Sequence, residues 1–476
     1  MFIYFGYALI VGVALGAWAF IGCMLGRRSY VLTAMVLSSI FASPVTSFTR
    51  GTAGAVYASD IVAMALLLGW LWPNIRSFFS RITPRWYGAF FWLMMLCLGS
   101  AILIAPLYQG QLAEAGLTQR VRSPIPGVPL PLLMAGFRVI RILLFLVFFA
   151  YSAHMIMDKD TGRLAYKLIV VAILILAVSH FLTFFGIKDM GLYLPGLEYQ
   201  EAHMLGHTKA AQGRLYLVGI FVTAILLYRK KSAPVYIAVL ATMVTALLFS
   251  GSRAAFVGLV AGASVLMISG KLAGRLTGVL TFVFIVFGFW LLTTLDPTRI
   301  ERFSQIAQAP FGNPRWLIWR ATFVYLLTHP YLLLTGVGFT NFRYALVGER
   351  IAEHAHNDTI TCLTELGLIG AGLFLFYLYY LARAIRRRMR YTVRGERWEA
   401  SCLAAIFVAF LVTSLFEQSY YYSFGATCML RILAVLFGTS TALWIQQAYV
   451  ESEEYDEAFL EAAAEDDYLP EISGNV

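Results

Sequence analysis

Residues 354–370 read HAHNDTITCLTELGLIG: two histidines and an Asn-Asp pair open onto an apolar run. His356 is the residue here best suited to chemistry, because an imidazole takes up a proton near neutral pH without a special environment. Asn357 or Asp358 can cap the helix that the apolar run forms, which leaves His356 just ahead of it. Glu365 lies about 13 Å deeper on a continuous helix, and on the opposite face. It is a poor partner for a dyad and a better one for holding a neighbouring helix. The histidines admit two other readings, as passive surface residues or as metal ligands. His354 and His356 with Glu353 or Asp358 would form one metal site, and His203 with His207 another. Two histidines without a defined third ligand do not make a metal centre, so no metal and no cofactor is expected.

Arginines form the second group of chemistry-bearing residues. In GSRAAF (Gly251–Phe256), Arg253 sits at a turn whose small residues suit a helix start, where free N–H groups and the helix dipole favour an anion. Asn313-Pro314 is a second helix-start signal. The run RWLIWRATFVYLLTHP that follows is stopped by His329-Pro330. It is short for a span and reads as a helix lying in the outer interface. Arg315 and Trp319, four apart, can stack on each other, whereas Arg320 points away from Arg315. A guanidinium is the side chain of choice for bidentate phosphate contact.

The elements that must position these residues are membrane helices. Sixty per cent of the chain is hydrophobic and only 13 per cent charged, where a soluble domain is nearer a quarter charged; mean hydropathy is +0.73. Apolar runs long enough to cross a bilayer as helix fall near 2–26, 29–43, 56–74, 86–108, 132–157, 164–187, 212–228, 233–250, 254–269, 276–295, 358–382, 400–416 and 424–446. The expected fold is therefore all-α: a polytopic membrane protein of about 12–13 spans with one large outer loop, 296–357, containing interfacial helices. An N-terminal bundle spans 1–209, a motif-bearing core 210–450, and an acidic tail without regular structure 451–476.

Orientation follows from the cations between spans. Arg27-Arg28, Arg76, Arg81 and Arg85, Lys159, Arg163 and Lys167, Arg229-Lys230-Lys231, Lys271 and Arg275, and the block Arg383–Arg397 share one face, assigned to the cytoplasm. A cleaved signal peptide is not expected, since Arg27-Arg28 follow the first apolar run instead of preceding it. The five cysteines all lie within or beside apolar runs, which points to packing rather than a disulfide framework. Basic charge spread over loops between spans gives no reason to expect nucleic acid as a partner.

Topology makes the remaining cations conspicuous. The outer face carries Arg50, Arg120, Arg122, Arg214, Arg253, Arg299, Arg302, Arg315, Arg320, Arg343 and Arg350, with only Lys188 and Lys209 of the other type. Arg138, Arg141 and Arg431 lie inside apolar runs, where an ionisable group is costly and a functional candidate by default. Each alone can pair with an acid or snorkel to a headgroup. As a set they outnumber the outer acids, and they describe a basic cavity suited to a polyanionic headgroup such as a pyrophosphate.

Four pieces, taken in order, resemble the O-antigen ligase/polymerase superfamily. They are Gly251-Ser252-Arg253, Arg315 with Trp319, Gly336 and Gly338 with Phe342, and His356-Asn357 followed by Glu365, Gly367 and Gly370. The resemblance covers about 210–440 by motif and the whole chain by span count and the large outer loop. It implies a multi-pass protein of the bacterial inner membrane with its active site facing the periplasm. It implies metal-independent, inverting transfer of a glycan from a polyprenyl-pyrophosphate donor, such as undecaprenyl pyrophosphate, in surface-polysaccharide (lipopolysaccharide or exopolysaccharide) biosynthesis. His356 matches the family's catalytic histidine, and Arg253 and Arg315 its pyrophosphate-binding arginines. Asn357 and Trp319 fall beside them as substrate contacts, with Glu365, Gly336, Gly338, Gly367 and Gly370 in support. Arg138, Arg141, Arg214, Arg320 and Arg431 are candidates from position alone.

Ligase and polymerase share these motifs. The acceptor is lipid A–core, or sometimes protein, for a ligase and another glycan repeat for a polymerase. Generous loops at 109–131 and 188–211 lean slightly towards a polymerase. A transporter or flippase of lipid-linked glycans, using the same cavity without chemistry, is the alternative of a different class; it would call for polar residues throughout the spans or a pseudo-repeat.

Overall fold

The computed structural model describes residues 7–41, 44–47, 55–73, 85–103, 140, 143–145, 147–152, 159–184, 209–227, 233–269, 272–295, 314–339, 341–342, 355–391, 397–416 and 435–436. The expected all-α architecture forms. The helices in chain order are α1 (Tyr7–Met24), α2 (Arg28–Ser39), α3 (Ala58–Leu66, prolonged by a π-helical turn Leu67–Leu71) and α4 (Arg85–Leu103). An apolar helix α5 (Leu143–Ser152) comes next. Then follow α6 (Lys159–Phe184), α7 (Lys209–Leu227), α8 (Ala233–Phe249), α9 (Arg253–Ser269), α10 (Leu272–Leu295), α11 (Pro314–Thr328), the single turn α12 (Leu332–Thr335), α13 (Asp358–Tyr391) and α14 (Arg397–Ser414).

Among the described residues, four helical stretches are long and apolar enough to cross a membrane: Asp160–Leu182, Arg275–Leu295, Asp358–Arg387 and Arg397–Ser414. Shorter apolar helices, among them Ala211–Leu227, Ala233–Phe249 and Arg253–Ser269, pack beside them. Helix is the expected outcome for such runs, because lipid offers no partner to an unpaired backbone amide. The second run departs from expectation. Its helix α2 stops at Ser39, short of the expected 43, and an antiparallel ribbon follows, β1 (Pro44–Ser47) paired with β2 (Ala55–Tyr57). Pro44 has no N–H to continue a helix. Tyr57 N–H then donates to the Asp60 carboxylate at 2.7 Å, capping α3.

Small residues bring the functional half of the chain together. Gly258 and Gly262 of α9 face α14 so closely that a Cβ on Gly258 would stand 2.5 Å from Thr413 Oγ1 and 2.8 Å from the Ala409 carbonyl oxygen. A Cβ on Gly262 would meet the Phe221 ring of α7 and, at 3.0 Å, the Ala405 carbonyl oxygen. This four-residue glycine spacing gives close helix approach where hydrophobicity cannot discriminate between helix and lipid.

The far ends of these helices are tied by buried polar contacts. The Tyr166 hydroxyl of α6 donates to the buried Glu399 carboxylate of α14. Beside it, the Trp398 indole N–H donates to the Ala224 carbonyl of α7 at 2.9 Å. That end carries Arg163, Arg275, Arg383 and Arg397; the other end carries Arg253 and His356. The outer loops expected at 109–131 and 188–211 lie outside the described residues, apart from the start of α7. So does the acidic tail.

Candidate functional site

His356 stands immediately before α13 with φ of 52°, the one non-glycine with positive φ among the described residues. A side-chain-bearing residue held in that region is strained, and such strain concentrates at functional sites. What holds it is the pair of residues around it. On one side, Ala355 is buried, packs with Phe342, and accepts the Trp319 indole N–H at 2.7 Å through its carbonyl. On the other, Asn357 is buried and fully committed. Its Oδ1 accepts the Ile360 N–H at 3.0 Å, the N-cap of α13, while its Nδ2 donates to the Leu415 carbonyl at 3.1 Å. Asn357 rather than Asp358 is therefore the cap. His356 itself is half-buried.

Those two tethers lead to the two motif arginines. Trp319 belongs to α11, with Arg315 one turn earlier on the same face. That face, with Thr322 and Leu326 buried, turns inward; Arg315 is half-buried. The Trp319 indole N–H is committed to the Ala355 carbonyl. Arg320 falls on the opposite face, exposed among the exposed apolar residues Trp316, Leu317, Phe323, Val324 and Leu327. The second tether reaches Leu415 at the end of α14. Two residues back, the Thr413 hydroxyl donates to the Ala409 carbonyl of its own helix at 2.6 Å and lies 3.5 Å from the Ala254 carbonyl of α9, next to Arg253. Arg253 is exposed as the first residue of α9. It follows Gly251, with φ of 65°, and Ser252, whose hydroxyl accepts the Ala255 N–H at 3.4 Å as the cap. Thus Arg315, His356 and Arg253 occupy one end of the bundle, joined in that order by short contacts.

The base of the site is a broken helix. Gly367, with φ 67° and ψ −166°, interrupts α13. The break frees carbonyls that a continuous helix would have paired. The segment after α12 supplies the partners: Val337 N–H donates to the Thr364 carbonyl at 2.8 Å, and Gly338 N–H to the Glu365 carbonyl at 3.0 Å. The approach is so close that a Cβ on Gly336 (φ 68°) would overlap the Glu365 carbonyl, and one on Gly367 the Leu334 carbonyl. Gly336 and Gly367 are therefore required for an interlock of helix and loop. Gly370 abuts Leu366 of its own helix, and Gly372 faces open space. Glu365 is fully buried beneath this interlock. The same loop is tied to α4, where Ser100 Oγ accepts the Phe339 N–H at 2.9 Å.

Two other titratable side chains lie on or next to α11. Burial, with Tyr331 close by, pushes the Tyr325 phenol above its ordinary value, so it stays neutral. His329 folds back on its own helix, its Nδ1 3.0 Å from the Tyr325 carbonyl. Among the described residues no three His, Cys, Asp or Glu side chains converge as metal ligands. Arg214 is buried on the first turns of α7. Its neighbour Gly213 lies against the cap of α9, where a Cβ would stand 2.7 Å from Ser252 Cβ. Arg138, Arg141, Arg431, His203, His207 and His354 lie outside the described residues. The positioning roles of Leu415, Thr413, Ala355 and Ser100 had no signal in the sequence, since each acts through a backbone group or a distant partner.

Among curated proteins nothing matches the chain. Residues 238–375, which hold Arg253, Arg315, Trp319, Gly336, Gly338, His356, Asn357, Glu365, Gly367 and Gly370, match the family model described as O-Antigen ligase. The match supports a place for this segment in the O-antigen ligase/polymerase superfamily.

Proposed function

We propose that this protein is a glycosyltransferase of surface-polysaccharide biosynthesis, working at the periplasmic face of the inner membrane. A sugar hydroxyl of the acceptor loses its proton to the His356 imidazole, and its oxygen attacks the anomeric carbon of the lipid-linked glycan. The bond from that carbon to the pyrophosphate oxygen breaks with inversion, and polyprenyl pyrophosphate departs with the electron pair. Arg253 and Arg315 bind the pyrophosphate and stabilise the charge that grows on it. No metal takes part in this scheme, so a chelator leaves transfer unchanged.

The observation that supports it most is the relay Arg315–Trp319–Ala355–His356–Asn357–Leu415–Thr413–Ala254–Arg253, which gathers a base and two phosphate-binding cations at one end of the bundle. Arg214, buried beside the cap of α9, is positioned to assist them. Arg320, on the exposed apolar face of α11, is better placed for a lipid headgroup than for the reacting phosphates.

We favour a polymerase that joins lipid-linked repeats to one another. The matched family's description supports the second reading, a ligase with lipid A–core as acceptor. The test uses purified protein with the polyprenyl-pyrophosphate-linked repeat unit as sole substrate. A ladder of glycan lengths means a polymerase. Repeats that move only when lipid A–core is added mean a ligase. Neither outcome, together with lipid flipping that persists in His356→Ala, overturns the reading in favour of transport. Under either enzymatic reading His356→Ala abolishes transfer and leaves the protein in the membrane.

A further inference from the structure

We propose that Gln212 recognises the first sugar of the lipid-linked donor, next to the pyrophosphate; this rests on the reading of Arg253 given above. Gln212 lies on the first turn of α7 and is fully buried. Neither its Oε1 nor its Nε2 has a hydrogen-bond partner among the described residues. Burying a primary amide with both functions unpaired is among the more expensive arrangements a chain can hold, and it calls for a partner that arrives later.

The surroundings say where that partner comes from. The next residue, Gly213, lies against Ser252 and Ala255, whose Cβ atoms a Cβ on Gly213 would meet at 2.7 and 2.8 Å. The first turn of α7 thus lies against the helix start that carries Arg253. One turn deeper, Tyr216 is already engaged with α6. Its hydroxyl donates to the Leu176 carbonyl at 3.4 Å and lies 3.1 Å from His180 Nδ1, with the two rings stacked at 6.0 Å.

Chemistry selects the ligand. A primary amide both donates and accepts. A diphosphate offers acceptors only, and guanidinium groups answer it better. A sugar hydroxyl or acetamido group donates and accepts, and it follows directly on the diphosphate in a lipid-linked glycan. Arg253 then reads the phosphate and Gln212 the sugar. Because the amide is closed to solvent, the sugar reaches it by parting the outer ends of the helices, so the contact forms as the donor binds.

The test compares wild-type protein with Gln212→Met, which keeps volume and removes polarity, and with Gln212→Ala, all in lipid nanodiscs. Two probes are used: bare undecaprenyl pyrophosphate, and the same lipid carrying one N-acetylated sugar. Both variants are expected to bind the bare lipid as wild type does and the sugar-bearing lipid about tenfold more weakly. Gln212→Met is expected to melt no lower than wild type, since an unpaired amide has been removed. Unchanged affinity for the sugar-bearing lipid overturns the proposal. So does equal weakening for both probes, or a Gln212→Met protein that melts below wild type, which marks a structural role. Failure of the underlying reading looks different: the bare lipid then binds Arg253→Ala as tightly as it binds wild type.

Discussion

Asn357 offers the sharpest test of how the site is held, because its amide performs two separable tasks. Oδ1 caps α13 and Nδ2 holds the end of α14. Asn357→Ala removes both: a cap worth about 1 kcal/mol and a hydrogen bond worth about another, so stability falls by roughly 2 kcal/mol. Asn357→Asp separates them. A carboxylate caps as well as an amide and gains about 0.3–1 kcal/mol from the helix dipole. It cannot donate, however, and its second oxygen then faces the Leu415 carbonyl oxygen across the 3.1 Å that the hydrogen bond spanned. Losing the bond and adding that repulsion costs the link to α14 about 1.5–3 kcal/mol, which corresponds to a fall in turnover of roughly ten- to a hundredfold if the link positions His356. The assay is glycan transfer in nanodiscs, with a melting curve on each sample. The expected result is Ala low on both measures and Asp low on turnover, with a net loss of stability of about 0.5–2.7 kcal/mol once the dipole gain is set against the broken link. An Asp variant with wild-type turnover would refute the positioning argument.

Three further outcomes follow from the same geometry. Trp319→Phe keeps the ring among Phe342 and Ala355 but removes the donor to the Ala355 carbonyl. It is expected to cost about 1 kcal/mol and to slow transfer several-fold, as rate and melting measurements would reveal. Gly336→Ala and Gly367→Ala each drive a Cβ into a carbonyl group at positive φ, whereas Gly372→Ala enters open space. Size-exclusion profiles of detergent extracts should show aggregation for the first two and a single symmetric peak for the third. His356→Gly should melt higher than His356→Ala, by about 1 kcal/mol or somewhat more, because only glycine takes φ of 52° without strain; both variants are expected to be inactive.

Much of the fold was legible because hydropathy acts over whole helices. The runs expected at 212–228, 233–250 and 254–269 appear as α7, α8 and α9 with ends shifted by three residues or fewer. Proline and histidine-proline punctuation likewise delimited α11. The site was legible only in part. Residue types marked His356, Arg253 and Arg315, and the alternation of spans set them at one end. Their connections were not visible: Asn357 reaches Leu415 and Trp319 reaches Ala355 across long stretches of chain that leave no local pattern. Nor does the run GLIGAG announce which glycine breaks the helix. Gly367 does so because the loop at Gly336–Gly338 is there to take over its carbonyls, a tertiary fact. The shortness of α2 has a local cause in Pro44, which lacks the N–H that a continuing helix needs.

The break at Gly367 also separates two mechanical regimes within α13. Below it, Leu368, Ile369, Leu375, Phe376 and Tyr379 are exposed to the bilayer. A membrane that thickens or thins makes its spans tilt, kink or distort the lipid around them, and that half-helix must follow. Above it, Asn357, Thr364 and Glu365 are held by Leu415, Val337 and Gly338, all of them outside α13. A joint at Gly367 would let the lower half tilt before the deformation reaches the imidazole. A cell that remodels its fatty acids with temperature would thereby keep the reaction geometry constant while the surrounding membrane changes thickness.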